Sequence, residues 1–106
     1  MNKYPALTET VFYILISLST PLHGYAIMQN IKSMTTGRIN MGAGTLYGAL
    51  NALLEKEYIT EVKSADPSKR LYIRTALGSK LVENEISRLN ELIQNATLYF
   101  KKDEEL

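Results

Sequence analysis

The feature that most constrains this chain is an apolar seam near its C-terminus: Val82, Ile86, Leu89, Ile93, Ala96 and Phe100, spaced 4, 3, 4, 3, 4. That spacing is the heptad stripe of a helix that packs along another helix. Thr75 stands where an N-cap belongs, and the pattern predicts a helix from there to about Lys101, roughly 26 residues and roughly 39 Å at the standard rise. Leu81, Leu92 and Tyr99 widen the stripe. A chain of 106 residues builds too small a core to cover such a helix end to end. Its distal part is therefore expected to dimerise, packing also on the first helix of a second copy, Phe12 included. The charged end, Lys101 to Leu106, is expected to fray.

Composition narrows the function classes. A hydrophobic fraction of 45% and a charged fraction of 22% suit one folded domain, and no apolar run approaches the roughly 18 residues a membrane span needs. Val11 to Leu18 is short, follows Glu9 and lacks the basic start and cleavage pattern of a secretory signal, so it reads as a core helix. The chain is expected in the cytoplasm, with no membrane partner. Cysteine is absent, which excludes disulfides, thiolate metal sites and cysteine nucleophiles. One His and two Asp assemble neither a metal cluster nor a catalytic triad, so no enzyme, metal or cofactor is expected. Gly42-Ala43-Gly44 lacks the Lys and the later glycine of a phosphate loop, and the glycosylation-like Asn95-Ala96-Thr97 falls inside a predicted helix.

Upstream of the seam, a first helix is predicted from Thr8 or Glu9 to about Ser19, where Thr20-Pro21 stops it. A second starts near Leu22-His23-Gly24 and reaches Thr35, with Ile27, Ile31 and Met34 facing inward and Gly37 ending it. Arg38 to Met41 alternates polar and apolar residues as a short strand would. Gly42-Ala43-Gly44 then leads into a third helix. Leu46, Leu50 and Leu53 mark its inner face, Gly48, Asn51 and Ala52 point outward, and Thr45 and Tyr47 lie on its flanks. That outward face is small, polar and uncharged, which suits insertion into a groove. After Tyr58 the period falls to two: Ile59 and Val62 begin a strand, Asp66-Pro67-Ser68 turns it, and Leu71 to Arg74 returns. Lys69 and Arg70 stand at the turn, and a helix followed by a basic hairpin is how a winged helix grips DNA.

A net charge of only +1 argues against a nucleic-acid partner, but its uneven distribution leaves room for a basic face. Residues 1–82 hold nine Lys/Arg against five Asp/Glu, a surplus of +4, whereas residues 83–106 hold three against six, a deficit of −3. A basic body precedes an acidic helix. The expected fold class is mainly α with a small β-hairpin: a winged helix-turn-helix over residues 1–75 and a long C-terminal dimerisation helix over 76–106, in one continuous globular unit.

In that order of elements the chain resembles the PadR family of bacterial transcriptional regulators, in its short subgroup. The resemblance is carried by Leu7-Thr8-Glu9 with Val11-Phe12-Tyr13-Ile14-Leu15, by Leu22 to Gln29, and by Gly42 to Leu50. Lys69-Arg70-Leu71-Tyr72 and Thr75-Ala76-Leu77-Gly78 match less closely: Leu71 takes one tyrosine position of the family hairpin, and Arg74 a position that is usually apolar. The resemblance implies a homodimer on double-stranded DNA, a repressor of an inverted-repeat operator that a small aromatic effector such as a phenolic acid relieves.

On the winged-helix reading, Thr45, Tyr47, Gly48 and Asn51 enter the major groove. Lys69 and Arg70 neutralise phosphates, and His23 and Tyr25 bring phosphate to the positive end of the second helix. The plainer reading makes His23 a helix-start residue and Tyr25 a core residue. Phe12, Tyr13, Tyr99 and Phe100 are candidate walls of an effector pocket between subunits. A competing class keeps the scaffold as a ligand-sensing or protein-interaction module without DNA binding.

Overall fold

The computed structural model describes residues 4–105. Its elements are α1 (Glu9–Ser17), α2 (Gly24–Met34), α3 (Ala43–Glu55), β1 (Ile59–Val62), β2 (Leu71–Arg74) and α4 (Ala76–Glu105). α1 begins at Glu9 because the Thr8 hydroxyl oxygen accepts the Val11 N–H at 3.2 Å, with Glu9 in the positive first turn. It stops at Ser17, two residues short of the expected end. Its Ile14 and Leu15, with Leu18 just beyond, meet Ile27 and Ile31 of α2, Leu46, Leu50 and Leu53 of α3, Ile59 and Tyr72 of the hairpin, and Leu81 and Val82 of α4. These residues form one core.

Met34, expected on the inner face of α2, is exposed. The inward place one turn after Ile31 falls to Thr35, whose hydroxyl donates to the Ile31 carbonyl at 2.8 Å. The chain then reverses through Thr36 and Gly37, at φ of 51° and 79°. The strand expected at 38–41 does not form. Its donors are used locally: Arg38 N–H bonds to Thr35 O and Ile39 N–H to Thr35 Oγ1, both at 3.0 Å, while the Arg38 side chain pairs with Glu9. What joins the hairpin instead is Leu22, which exchanges both backbone hydrogen bonds with Tyr72 at 2.9 and 3.0 Å. The hairpin itself pairs Ile59 with Arg74 through to Val62 with Leu71, antiparallel as expected.

Arg74 locks this sheet to the helices. Its Nη1 donates to Leu15 O at 2.8 Å, its Nε to Ser79 Oγ at 2.9 Å, and its backbone N–H to Leu18 O at 3.0 Å. α4 starts at the expected cap, where Thr75 Oγ1 accepts the Gly78 N–H at 3.1 Å. Gly78 is required there: a Cβ would sit 2.1 Å from the Tyr58 carbonyl oxygen.

α4 runs for 30 residues, about 45 Å, and stays helical to Glu105, past the expected fraying; Leu106 lies outside the described residues. Val82, assigned to a dimer seam by its spacing, is 6% exposed in the protomer's own core, because the first turns of α4 lie against α1. Leu89 is half-buried. Ile86, Ile93, Ala96 and Phe100 are exposed. Between Val82 and Ile86 sits Glu85, 1% exposed, which the sequence reading passes over. Its carboxylate accepts Leu7 N–H at 2.9 Å and the Arg88 guanidinium at 2.6 and 2.8 Å, tying the N-terminal arm to α4. Arg88 holds that carboxyl below its usual range against the opposing effect of burial.

Candidate nucleic-acid interface

Three elements converge on one side of the molecule. At the start of α2, His23 Nδ1 accepts the Ala26 N–H at 3.3 Å, so His23 is the N-cap that the plainer reading expected. The hydrogen bond puts the ring's own N–H on Nε2. Its ring stacks on Tyr25, with centroids 6.5 Å apart. Tyr25 is 62% exposed, so the core reading of that residue is wrong: in the first turn of α2 it points outward.

From α3, Tyr47 reaches back over the same helix start. A Cβ at residue 24 would lie 2.5 Å from the Tyr47 hydroxyl and 3.3 Å from Leu46 Cδ2. Gly24 therefore leaves room for the Tyr47 side chain over the start of α2, a role the sequence reading did not assign; its signal was a glycine directly after a capping residue. Tyr47 remains 43% exposed.

The third element is the hairpin turn. Asp66 Oδ1 accepts both Ser68 N–H at 3.0 Å and Ser68 Oγ–H at 2.7 Å, and Lys69 N–H closes on Asp66 O at 3.1 Å. These bonds lower the Asp66 carboxyl below its ordinary range, led by the Ser68 hydroxyl. They also fix where Lys69 and Arg70 stand. The result is an open groove of about 490 Å³ lined by His23, Gly24, Tyr25, Tyr47, Ser68, Lys69 and Arg70.

The groove unites His23, Tyr25, Tyr47, Lys69 and Arg70 among the expected residues. Thr45, Gly48 and Asn51 are exposed on α3 but do not line it. Gly42, the N-cap of α3, makes no side-chain capping bond, which leaves the first-turn N–H groups of that helix open to an anion.

The four aromatics proposed for an effector pocket do not meet within one protomer. Phe12 and Tyr13 pack edge to face at 6.3 Å and border a recess of about 350 Å³ with Leu7, Glu9, Glu85 and Leu89. Tyr99 lies ten residues beyond Leu89 on the same helix, about 15 Å along its axis, with Phe100 next to it. Among the described residues there is no cluster of His, Asp and Glu able to hold a metal, and no helix long and apolar enough to cross a membrane.

Two helices joined through a left-handed turn, with the second exposed beside a basic hairpin that Leu22 edges, define a winged helix-turn-helix protein. The family model for the PadR-like transcriptional regulators matches residues 11–84, and the chain belongs to that family. Its members are transcriptional regulators, not enzymes. Among solved structures, the chain is similar to a transcriptional regulator from Clostridium thermocellum, at 26% identity over 86% of this chain and 88% of that one, with a TM-score of 0.73. A PadR family regulator from Eggerthella lenta shares 22% identity over 85% and 80% of the two chains, at a TM-score of 0.69. RosR of H. salinarum shares 19% over 94% and 96%, at 0.67, a likeness of fold. No curated protein sequence matches the chain.

Proposed function

We propose that this regulator is a homodimer that binds an inverted repeat in double-stranded DNA, represses transcription there, and lets go when a small aromatic molecule binds. The observation that carries the reading is the groove, where the start of α2, Tyr47 of α3 and the Lys69-Arg70 wing turn face one space. Thr45, Tyr47, Gly48 and Asn51 present α3 to base edges in the major groove, where an Asn amide can pair bidentately with adenine. Lys69 and Arg70 take phosphates, and the start of α2 beside His23 and Tyr25 offers backbone donors to another.

Support for the dimer comes from distal α4, where Leu92, Ile93, Leu98, Tyr99 and Phe100 leave large apolar surface in water. Two-fold pairing through Ile86, Leu89, Ile93, Ala96 and Phe100 would set two α3 helices about one DNA turn, roughly 34 Å, apart. It would also bring Tyr99 and Phe100 of one copy toward Phe12 and Tyr13 of the other, enclosing the aromatic effector.

Fluorescence anisotropy with the duplex upstream of the protein's own reading frame tests this. With roughly 6 to 10 phosphate contacts, affinity should fall about 10³- to 10⁵-fold between 50 and 200 mM salt. Tyr47→Ala should reduce discrimination between sequences, whereas Lys69→Ala with Arg70→Ala should weaken every duplex and flatten the salt slope. No binding at 50 mM salt would sink the reading in favour of a module that does not bind DNA.

A further inference from the structure

Glu61, Arg70 and Tyr72 share one face of the hairpin. Glu61 lies directly opposite Tyr72 in the register, so those two side chains leave one face, and Arg70, just before β2, is brought to the same place by its approach to Glu61. Arg70 Nη1 stands 3.8 Å from Glu61 Oε1, and Arg70 also lines the groove beside Tyr47 and Lys69. The Arg70 side chain is 74% exposed and that of Glu61 49%, so the pair contributes little to folding. Its place is more telling than its strength. A carboxylate stands beside the arginine of a groove otherwise lined by cationic, aromatic and small side chains. A phosphate entering there must take the guanidinium over from Glu61.

We propose that Glu61 is a positioning residue that restrains the wing: it holds the Arg70 guanidinium along the hairpin until a well-seated backbone phosphate displaces it. On a duplex that fits, the lost ion pair is replaced by an Arg–phosphate contact, which is stronger for its charge and geometry. On one that does not fit, Arg70 stays with Glu61 and the wing grips less. The inference rests on the reading of the groove as a DNA site.

The test compares wild type, Glu61→Gln, Arg70→Ala and the double variant by anisotropy, on the protein's own upstream duplex and on a scrambled duplex of equal length. Glu61→Gln should tighten binding to the upstream duplex, where the exposed pair has to break, by about two- to fivefold and to the scrambled duplex by less, so the ratio between them rises. In the Arg70→Ala background the same substitution should lose this effect. Equal tightening on both duplexes, no change on either, or an undiminished effect without Arg70 would each overturn the role of Glu61 while leaving DNA binding intact. A wild type that binds neither duplex at 50 mM salt would overturn both readings.

Discussion

The two halves of α4 carry one heptad seam and meet different fates. From Ala76 to Leu89 most of the apolar stripe is covered by its own chain: Leu81 is fully buried, Val82 nearly so, Glu85 is sealed by Arg88 and Leu7, and Leu89 is half-covered, while Ile86 stays exposed. From Asn90 to Glu104 every side chain is exposed, Phe100 at 71%. The reason is length. A helix of about 45 Å outruns the small body formed by α1–α3 and the hairpin, so the molecule extends 62 Å in one direction and 33 and 20 Å in the others. An apolar stripe marks a surface suited to a packing neighbour, not which chain would supply it.

Substitutions on either side of that divide sharpen the contrast. Leu81→Ala should have the largest effect, lowering unfolding free energy by about 2 to 5 kcal/mol at any protein concentration, because it empties a site in the protomer's own core. Urea denaturation at two concentrations measures this; a loss that vanished on dilution would place Leu81 in an interface instead. Ile93→Asp, on the distal half, should leave the unfolding of dilute protein within about 0.5 kcal/mol of wild type. It should raise the dissociation constant of the proposed dimer by about 100-fold, the cost of one desolvated anchor. Sedimentation velocity reads the second effect, and a stability loss on the scale of Leu81→Ala would mean that the distal half packs on its own core.

The smallest effect concerns Glu85, on the proximal side. Its folded-state carboxyl is held below the ordinary value, first by Arg88. The stabilisation is therefore complete above the unfolded value, about 4.3, and is lost as pH falls through the lower folded value. Glu85→Gln should lower stability at neutral pH by about 1 kcal/mol and flatten the acid limb of the stability curve below roughly pH 5. Thermal melts from pH 3 to 7 check this; superimposable acid limbs would remove Glu85 from the account.

Legibility followed the reach of each interaction. Leu46, Leu50 and Leu53, the His23 and Thr75 caps, and the turn at Asp66 depend on neighbours within about four residues, and all read correctly. The strand misread at 38–41 had the right alternation but no partner, since Thr35 had already taken its donors. Of the candidate interface, the residue types were legible, but the gathering of His23, Tyr25, Tyr47, Lys69 and Arg70 around one groove was not. Tyr25 went wrong for a related reason: aromatic character marks burial only on average, and the first turn of α2 faces water at that position.

By itself the sequence determined the helices, the hairpin, the caps and the existence of an apolar seam, because periodicity and capping act over one or two turns of chain. Only the tertiary structure decided where that seam stops being core. It also decided that Leu22 and not residues 38–41 edges the sheet, that Gly24 and Gly78 stand where another element comes too close for a Cβ, and that Glu85 and Arg74 bind the backbone of residues 78 and 59 positions away. Those contacts have no local signature, since each exists only once the intervening chain has folded and brought its two ends together.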